Sequence, residues 1–347
     1  MRPRATREQL EYVIGLLHEN GLTSVSSTMA DIVMLITEES VTPDIAATIE
    51  KAPGVDRVVV VPGTQRLTSR IFRPEDTRVQ VGPAGGPVIG GPEFVVIAGP
   101  CAVESAPQMN SVADVVVASG AVVLRGGAFK PRTSPYSFQG LGLAGLTLLA
   151  EQRRRTGLPV VTEVVTADDV KCVAEESDML QIGTRNMQNF DLLRAAGESG
   201  RPVLLKRGMS STIEEWLLAA EYVMHVGNSS VVLCERGIRS YDRSTRFTLD
   251  LGAVAEAKRL THLPVLVDPS HSTGRPHLVG PMSLAAASCG ADGLLIDVHT
   301  DARNALCDGN QALSGEQFST LMERLRPVVE AVGRTLARPR SQSLAQV

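Results

Sequence analysis

The sequence predicts an α/β fold, a TIM (β/α)8 barrel preceded by a small ferredoxin-like α+β domain, and three observations lead there. Eight apolar runs recur in the C-terminal three quarters of the chain, each closing on polar or glycine residues: FVVIAGPC, AVVLRGGAFKPR, LPVVTEV, MLQIGTR, PVLLKRG, SVVLCERG, LPVLVDPSH and GLLIDVH. Helical segments such as STIEEWLLAAEYVMHV and SLAAASCG separate them. Fully apolar strands alternating with helices indicate a parallel sheet covered on both faces. No GxGxxG follows any strand, so the barrel is preferred over an open doubly wound sheet.

The elements follow in order. Residues 6–20 (TREQLEYVIGLLHEN) carry helical periodicity, and Thr6 with Gln9 is spaced for a capping box. Residues 22–27 and 31–37 read as strands, Pro43 to Lys51 as a helix, and VDRVVVV (55–61) as another strand. This α-β-β-α-β order is a ferredoxin-like unit over residues 1–72 that lacks its first strand. In that topology the first strand lies inside the sheet, so either the start of the chain is set too late or the unit is incomplete. The run Gly82–Pro92 holds five glycines and three prolines in eleven residues, so residues 73–92 are expected to be a linker or irregular cap without regular structure. The barrel is assigned to residues 93–337 and a frayed tail to 338–347. After the fifth strand, Ser211 and Glu214 are spaced as a helix cap.

Composition removes several function classes. Of 347 residues, 43% are hydrophobic and 21% charged, which fits a folded globular chain rather than a disordered one. A net charge of -4 argues against a general nucleic-acid binder, so no nucleic-acid partner is expected. No apolar run of about 18 residues is present, so no membrane span is expected. The opening MRPRATREQLEY has no apolar signal core, and five cysteines without CxxC spacing suit a reducing compartment. Both observations point to the cytoplasm. Lysine is scarce: Lys51, Lys130, Lys171, Lys206 and Lys258 stand among 34 basic residues, so a retained lysine is a candidate for a role arginine cannot fill.

In such a barrel the active site lies at the C-terminal strand ends, and here those ends carry reactive side chains. Cys101, His271, Asp297 and Asp308 offer one soft and three harder donors, a set suited to a divalent transition metal: Mn, Fe, Co or Zn. Arg125, Lys130, Arg132, Arg185, Lys206 and Arg236 bring positive charge from four strands to the same face of an acidic chain. That concentration implies a substrate with several anionic groups, phosphates and a carboxylate. Glu163 and Asp268 close the third and seventh strands. From residues alone the reading stops at a metal-dependent lyase, aldolase or transferase of phosphorylated metabolites. A Schiff-base aldolase using Lys130 or Lys206 is the rival enzyme class, and a non-catalytic binder of phosphometabolites is the rival outside enzymes.

IAGPCAVES, LRGGAFKPRTSPYSFQGLG, QIGTRNMQNFDLL, PVLLKRGMSSTIEEWLLAAEY, CERGIRSYDRSTR and VDPSHSTGR together resemble the 3-deoxy-7-phosphoheptulonate (DAHP) synthases of type I-beta across residues 72–337. Residues 6–72 resemble the regulatory domain that some members carry. The resemblance implies condensation of phosphoenolpyruvate with erythrose 4-phosphate, the first step of the shikimate pathway, in a homodimer or homotetramer with an aromatic amino acid as effector. It implies metal ligation, manganese first, by Cys101, His271, Asp308 and the acid of the eighth strand. It assigns phosphoenolpyruvate to Arg125, Lys130, Arg185, Lys206 and Arg236, and erythrose 4-phosphate to Arg132, Thr133 and Ser134. Lys130 becomes the proton donor to the forming hydroxyl. One departure stands out: the family has glutamate in the eighth strand and this chain has Asp297, one methylene shorter by roughly 1.5 Å. A relative with another aldehyde acceptor is the alternative that this change raises.

Overall fold

The computed structural model describes residues 1–29, 32–37, 39, 41–61 and 65–339. The expected tail at 338–347 therefore lies, from residue 340 onward, outside the described residues. Helix α1 (Arg7–Glu19) starts on the Thr6–Gln9 capping box, and strands β1 (Ser24–Met29) and β2 (Ile32–Thr37) pair antiparallel. Helix α2 (Pro43–Glu50) follows, and a small core of Val13, Leu17, Leu22, Ile49, Ala52 and Val55 holds this unit together. The strand expected at 55–61 does not form. Only Val55 is buried at its start, and Val60 is 59% exposed. A valine run becomes a strand only where a neighbouring edge completes its ladder.

The segment expected to lack regular structure also differs. Strands β3 (Val79–Gln80) and β4 (Val88–Ile89) form a short hairpin across the glycine-rich run. Its Val79, Val81 and Ile89 pack against Val95, Ile97, Val123, Val161 and other barrel-lining residues. The hairpin is thus an apolar plug for the barrel interior rather than a loose linker.

Eight parallel strands close the barrel in sequence: β5 (Glu93–Gly99), β6 (Val123–Arg125), β7 (Val160–Val164), β8 (Met179–Ile182), β9 (Val203–Lys206), β10 (Val231–Glu235), β11 (Val265–Val267) and β12 (Gly293–Asp297). Pairing of β12 with β5 completes the ring. Helices between the strands bury a second, outer core that includes Phe94, Leu149, Trp216 and Phe318. Helix α3 (Ile213–His225) is capped by Thr212 with Glu215, one residue later than expected, because it is the Thr212 hydroxyl that accepts from the Glu215 amide.

Strand alternation places the site. Val95, Ile97, Val123, Val161, Leu204, Val232, Leu266 and Leu295 face the interior. With a period of two, the next inward positions at the strands' C-terminal ends are Gly99, Arg125, Glu163, Lys206, Asp268 and Asp297, and Arg236 follows Cys234. Apolar layers fill the barrel below and a polar layer caps it.

The segment joining the two units is held by the half-buried Glu221 and the buried His262. Glu221 accepts hydrogen bonds from the amides of Arg66, Leu67 and Thr68 and from the Thr68 hydroxyl, at 2.8–3.0 Å. His262 lies 2.7 Å from both the Thr77 hydroxyl and the Leu67 carbonyl. Burial pushes the His262 pKa down to about 4. Unfolded chains take up this proton near pH 6.5, so stability is expected to fall as pH drops from about 6.5 through 4, by about 3 kcal/mol in full. Denaturant unfolding of the protein and its His262→Gln variant across that range checks this. An identical acid dependence in both would refute the assignment to His262.

Candidate active site

The polar cap of the barrel opens into a cavity of about 210 Å³ lined by Arg125, Lys130, Arg132, Thr133, Ser134, Glu163, Arg185, Lys206, Arg236, His271 and Asp308. Cys101, Asp268 and Asp297 lie directly behind this lining, each touching a member of it. Every site residue expected from the sequence is therefore at one end of the barrel, though not all in the arrangement expected.

Three candidate ligands converge. Cys101 Sγ is 3.7 Å from His271 Nε2 and 3.4 Å from Asp308 Oδ2, and the last two atoms are 3.7 Å apart. Ligands at 2.0–2.3 Å from a tetrahedral ion stand about 3.3–3.8 Å from one another, so the three donors fit one divalent ion. Local structure explains their position. Cys101 lies just past β5. His271 sits in the short helix α4 (Pro269–Thr273), where the Asp268 carboxylate caps the His271 amide at 2.9 Å. Asp308 has φ 51° and ψ 28°, a left-handed conformation costly for a side chain with Cβ but tolerated best by Asp and Asn.

Asp297, expected as the fourth ligand, is not in this triad. Its carboxylate pairs with Arg125, accepts a 2.6 Å bond from Gln311 Nε2 and lies 3.5 Å from His271 Nδ1. The Nδ1 edge of an imidazole faces away from the Nε2 edge that meets Cys101 and Asp308. The shorter side chain leaves its charge within reach of the guanidinium and short of the triad.

The cations differ in how they are compensated. Arg125 has Asp297, Lys206 Nζ is 2.6 Å from Asp268, and Lys130 Nζ is 3.6 Å from Glu163 and 3.3 Å from Cys101 Sγ. Arg236 is buried, donates from Nη2 to the His271 carbonyl at 3.3 Å, has no partner for Nε and Nη1 among the described residues, and lies 4.1 Å above the Phe247 ring. Burial pushes its pKa down to about 10, still cationic at neutral pH. A buried, unpaired guanidinium facing a cavity is an anion site. Arg132 is half-buried, whereas Arg185 is exposed and donates to Thr133 Oγ1 at 3.0 Å.

The hydrogen bond with Cys307, then Lys130 and His271, hold the Cys101 thiol well below its ordinary value against the effect of burial. Burial alone would lower the Lys130 pKa, but the charges of Cys101 and Glu163 outweigh it and raise it. Lys130 is therefore an ammonium at neutral pH. Burial also opposes ionisation of Asp268, yet His271 and Lys206 hold its pKa well down.

Several residues carried no sequence signal strong enough to single them out. Cys307 Sγ is 3.5 Å from Cys101 Sγ and accepts from Arg132. Arg246 donates to Gln311 Oε1 at 2.8 Å and to Asp308 Oδ1 at 3.3 Å. Glu104 accepts from the Leu306 amide at 2.8 Å and lies 3.5 Å from His299 Nε2, fixing the loop that carries Cys307 and Asp308. Gln181 was readable in principle, since it lies two residues past the inward-facing Met179.

With this geometry in hand, similarity to known proteins is informative. The sequence profile described as the DAHP synthetase I family matches residues 78–332. Phospho-2-dehydro-3-deoxyheptonate aldolase of Thermotoga maritima is 44% identical over 335 residues, spanning 96% of this chain and 98% of that protein. The crystal structure of Phospho-2-dehydro-3-deoxyheptonate aldolase (DAHP synthase) from Thermotoga maritima superposes with a TM-score of 0.77 at 43% identity, covering 96% of this chain and 97% of that one. A 2-dehydro-3-deoxyphosphooctonate aldolase of Syntrophobacter fumaroxidans is 31% identical over 259 residues, 69% of this chain and 88% of that protein.

Proposed function

The chain belongs to the DAHP synthetase I family, and from that premise we propose that it condenses phosphoenolpyruvate with erythrose 4-phosphate and water. The products are 3-deoxy-D-arabino-heptulosonate 7-phosphate and inorganic phosphate, the first step of the shikimate pathway. The observation that carries this reading is the pairing of a sulfur, nitrogen and oxygen triad with a buried, unpaired Arg236.

Cys101, His271 and Asp308 would hold the divalent ion, manganese first, with iron, cobalt and zinc as alternatives. When bound, such an ion supplies Lewis acidity toward an aldehyde oxygen. Arg236, Arg125, Lys206, Lys130 and Arg185 bind the carboxylate and phosphate of phosphoenolpyruvate, while Arg132, Thr133 and Ser134 take the phosphate of erythrose 4-phosphate. C3 of phosphoenolpyruvate attacks the aldehyde carbon, and the oxygen takes its proton from Lys130. Water adds at the cationic C2, returning a proton to Lys130 beside Glu163. The hemiketal phosphate then collapses with C–O cleavage: the C2 hydroxyl becomes the ketone and its proton leaves with the departing phosphate.

Residues 1–72 are the proposed regulatory unit, with an aromatic amino acid as effector and a homodimer or homotetramer as the assembly. A two-stranded sheet is marginal by itself, which favours packing against another copy. No helix among the described residues is long and apolar enough to cross a membrane, and the cytoplasm is the proposed location.

Phosphate release from the two substrates tests the reading. Turnover is expected to vanish in chelator and return with added manganese. Turnover that persists in chelator and traps covalently with borohydride would overturn it in favour of a Schiff-base aldolase. Silence in every metal from folded protein would move attention to another acceptor or a binding role.

A further inference from the structure

A second cavity of about 600 Å³ adjoins the first and shares Arg132, Arg246 and Asp308 with it. Besides Arg132 and Arg246, the exposed Arg243, Arg275 and Arg303 line it. Among the described residues no carboxylate comes within ion-pairing distance of these last three, and the one acidic residue lining the cavity, Asp308, already meets Arg246 at 3.3 Å. Five guanidiniums around one hollow repel each other, and the proposed reaction uses only Arg132 of the five. In a chain of net charge -4, this concentration needs its own explanation.

We propose that this cavity binds a hydrophilic small molecule carrying at least two phosphate groups. Its volume falls within the roughly 300–1,000 Å³ of metabolite sites rather than that of a single ion. Planar guanidiniums match phosphate oxygens in bidentate pairs, and three of them come from separate loops, so they can grip two ends of one ligand. Of the remaining lining, Thr245 and Asn310 face the cavity, whereas the Thr273 hydroxyl is held by the Pro269 carbonyl and the Gln311 amide by Asp297 and Arg246, and none of the lining side chains is aromatic. It offers a hydroxyl and an amide for a sugar but no surface on which a base or an aromatic amino acid would stack. The ligand class is therefore a sugar bisphosphate rather than a nucleotide or an aromatic effector.

The test is calorimetric titration of the metal-free, full-length protein with fructose 1,6-bisphosphate as probe, in saturating phosphoenolpyruvate. Binding one to one is expected, at least tenfold weaker in the Arg243→Ala, Arg275→Ala, Arg303→Ala triple variant. Each single replacement is expected to weaken it at least threefold, so the test stands even where the triple variant fails to fold. Absence of binding, or equal binding by the variants, would refute the proposal. Displacement of the probe by erythrose 4-phosphate would also refute it, because the cavity would then be that substrate's own phosphate subsite. Binding is read without turnover, so failure here leaves the condensation standing.

Discussion

Replacing Lys130 with arginine is expected to lower kcat by about 10²–10⁴-fold, the usual contribution of a positioned proton donor. The variant keeps a cation beside Glu163 and Cys101, so the KM for phosphoenolpyruvate is expected to stay within about tenfold. The reason is chemical. Arginine matches the charge and can hold an anion, but it does not release a proton in the working pH range. Lys130 is held fully protonated by the Cys101 and Glu163 charges, so it enters the reaction with the proton in place. The same raised pKa argues against Lys130 as a Schiff-base nucleophile, which requires a neutral amine. Lys206, the other candidate, is fixed on Asp268 at 2.6 Å. Steady-state phosphate release by the Lys130→Arg variant, with circular dichroism to verify folding, decides the matter. A wild-type kcat would remove the proton-donor role, and a loss confined to KM would reduce Lys130 to an anchor.

The barrel and the location of its site were legible because both follow from local pattern. Each strand is short, apolar and bounded, and alternation then determines that Arg125, Glu163, Lys206 and Asp297 turn inward at the same end. What the pattern did not hold was anything decided by distant partners. The valines of 55–61 have strand propensity, but no strand among the described residues pairs with them. The Gly82–Pro92 run looks too irregular to pair, yet two residues on each side suffice for a hairpin once Val79, Val81 and Ile89 have the barrel interior to fill. Cys307 illustrates the same limit within the site. In sequence it is one cysteine among five, and only closure of the loop through Glu104 and Leu306 sets it against Cys101.

Asp297 is where sequence and structure part most sharply, and it yields the second large effect. A ligand role, carried over from the family's longer acid, predicts that removing the carboxylate strips the metal and does little else. The structure predicts another outcome. Asp297 is fully buried on Arg125, so Asp297→Ala leaves a guanidinium uncompensated in the barrel, and unfolding of the metal-free protein is expected to become about 3–5 kcal/mol easier. Metal affinity, which the proposed ligands Cys101, His271 and Asp308 would set, is expected to fall by about tenfold, the low end of the 10–100-fold typical of outer carboxylates. Asp297→Glu restores the missing methylene, and with metal–oxygen distances tolerating only about 0.2 Å, it alone can bring this charge from the Nδ1 side of His271 into the triad. Its metal affinity is expected to exceed that of the natural chain. Denaturant unfolding without metal and competitive metal titration of both variants separate the two roles. A large loss of affinity in Asp297→Ala with unchanged stability would make Asp297 a ligand after all. The expected pattern would make it the counter-charge that holds Arg125 in place for substrate.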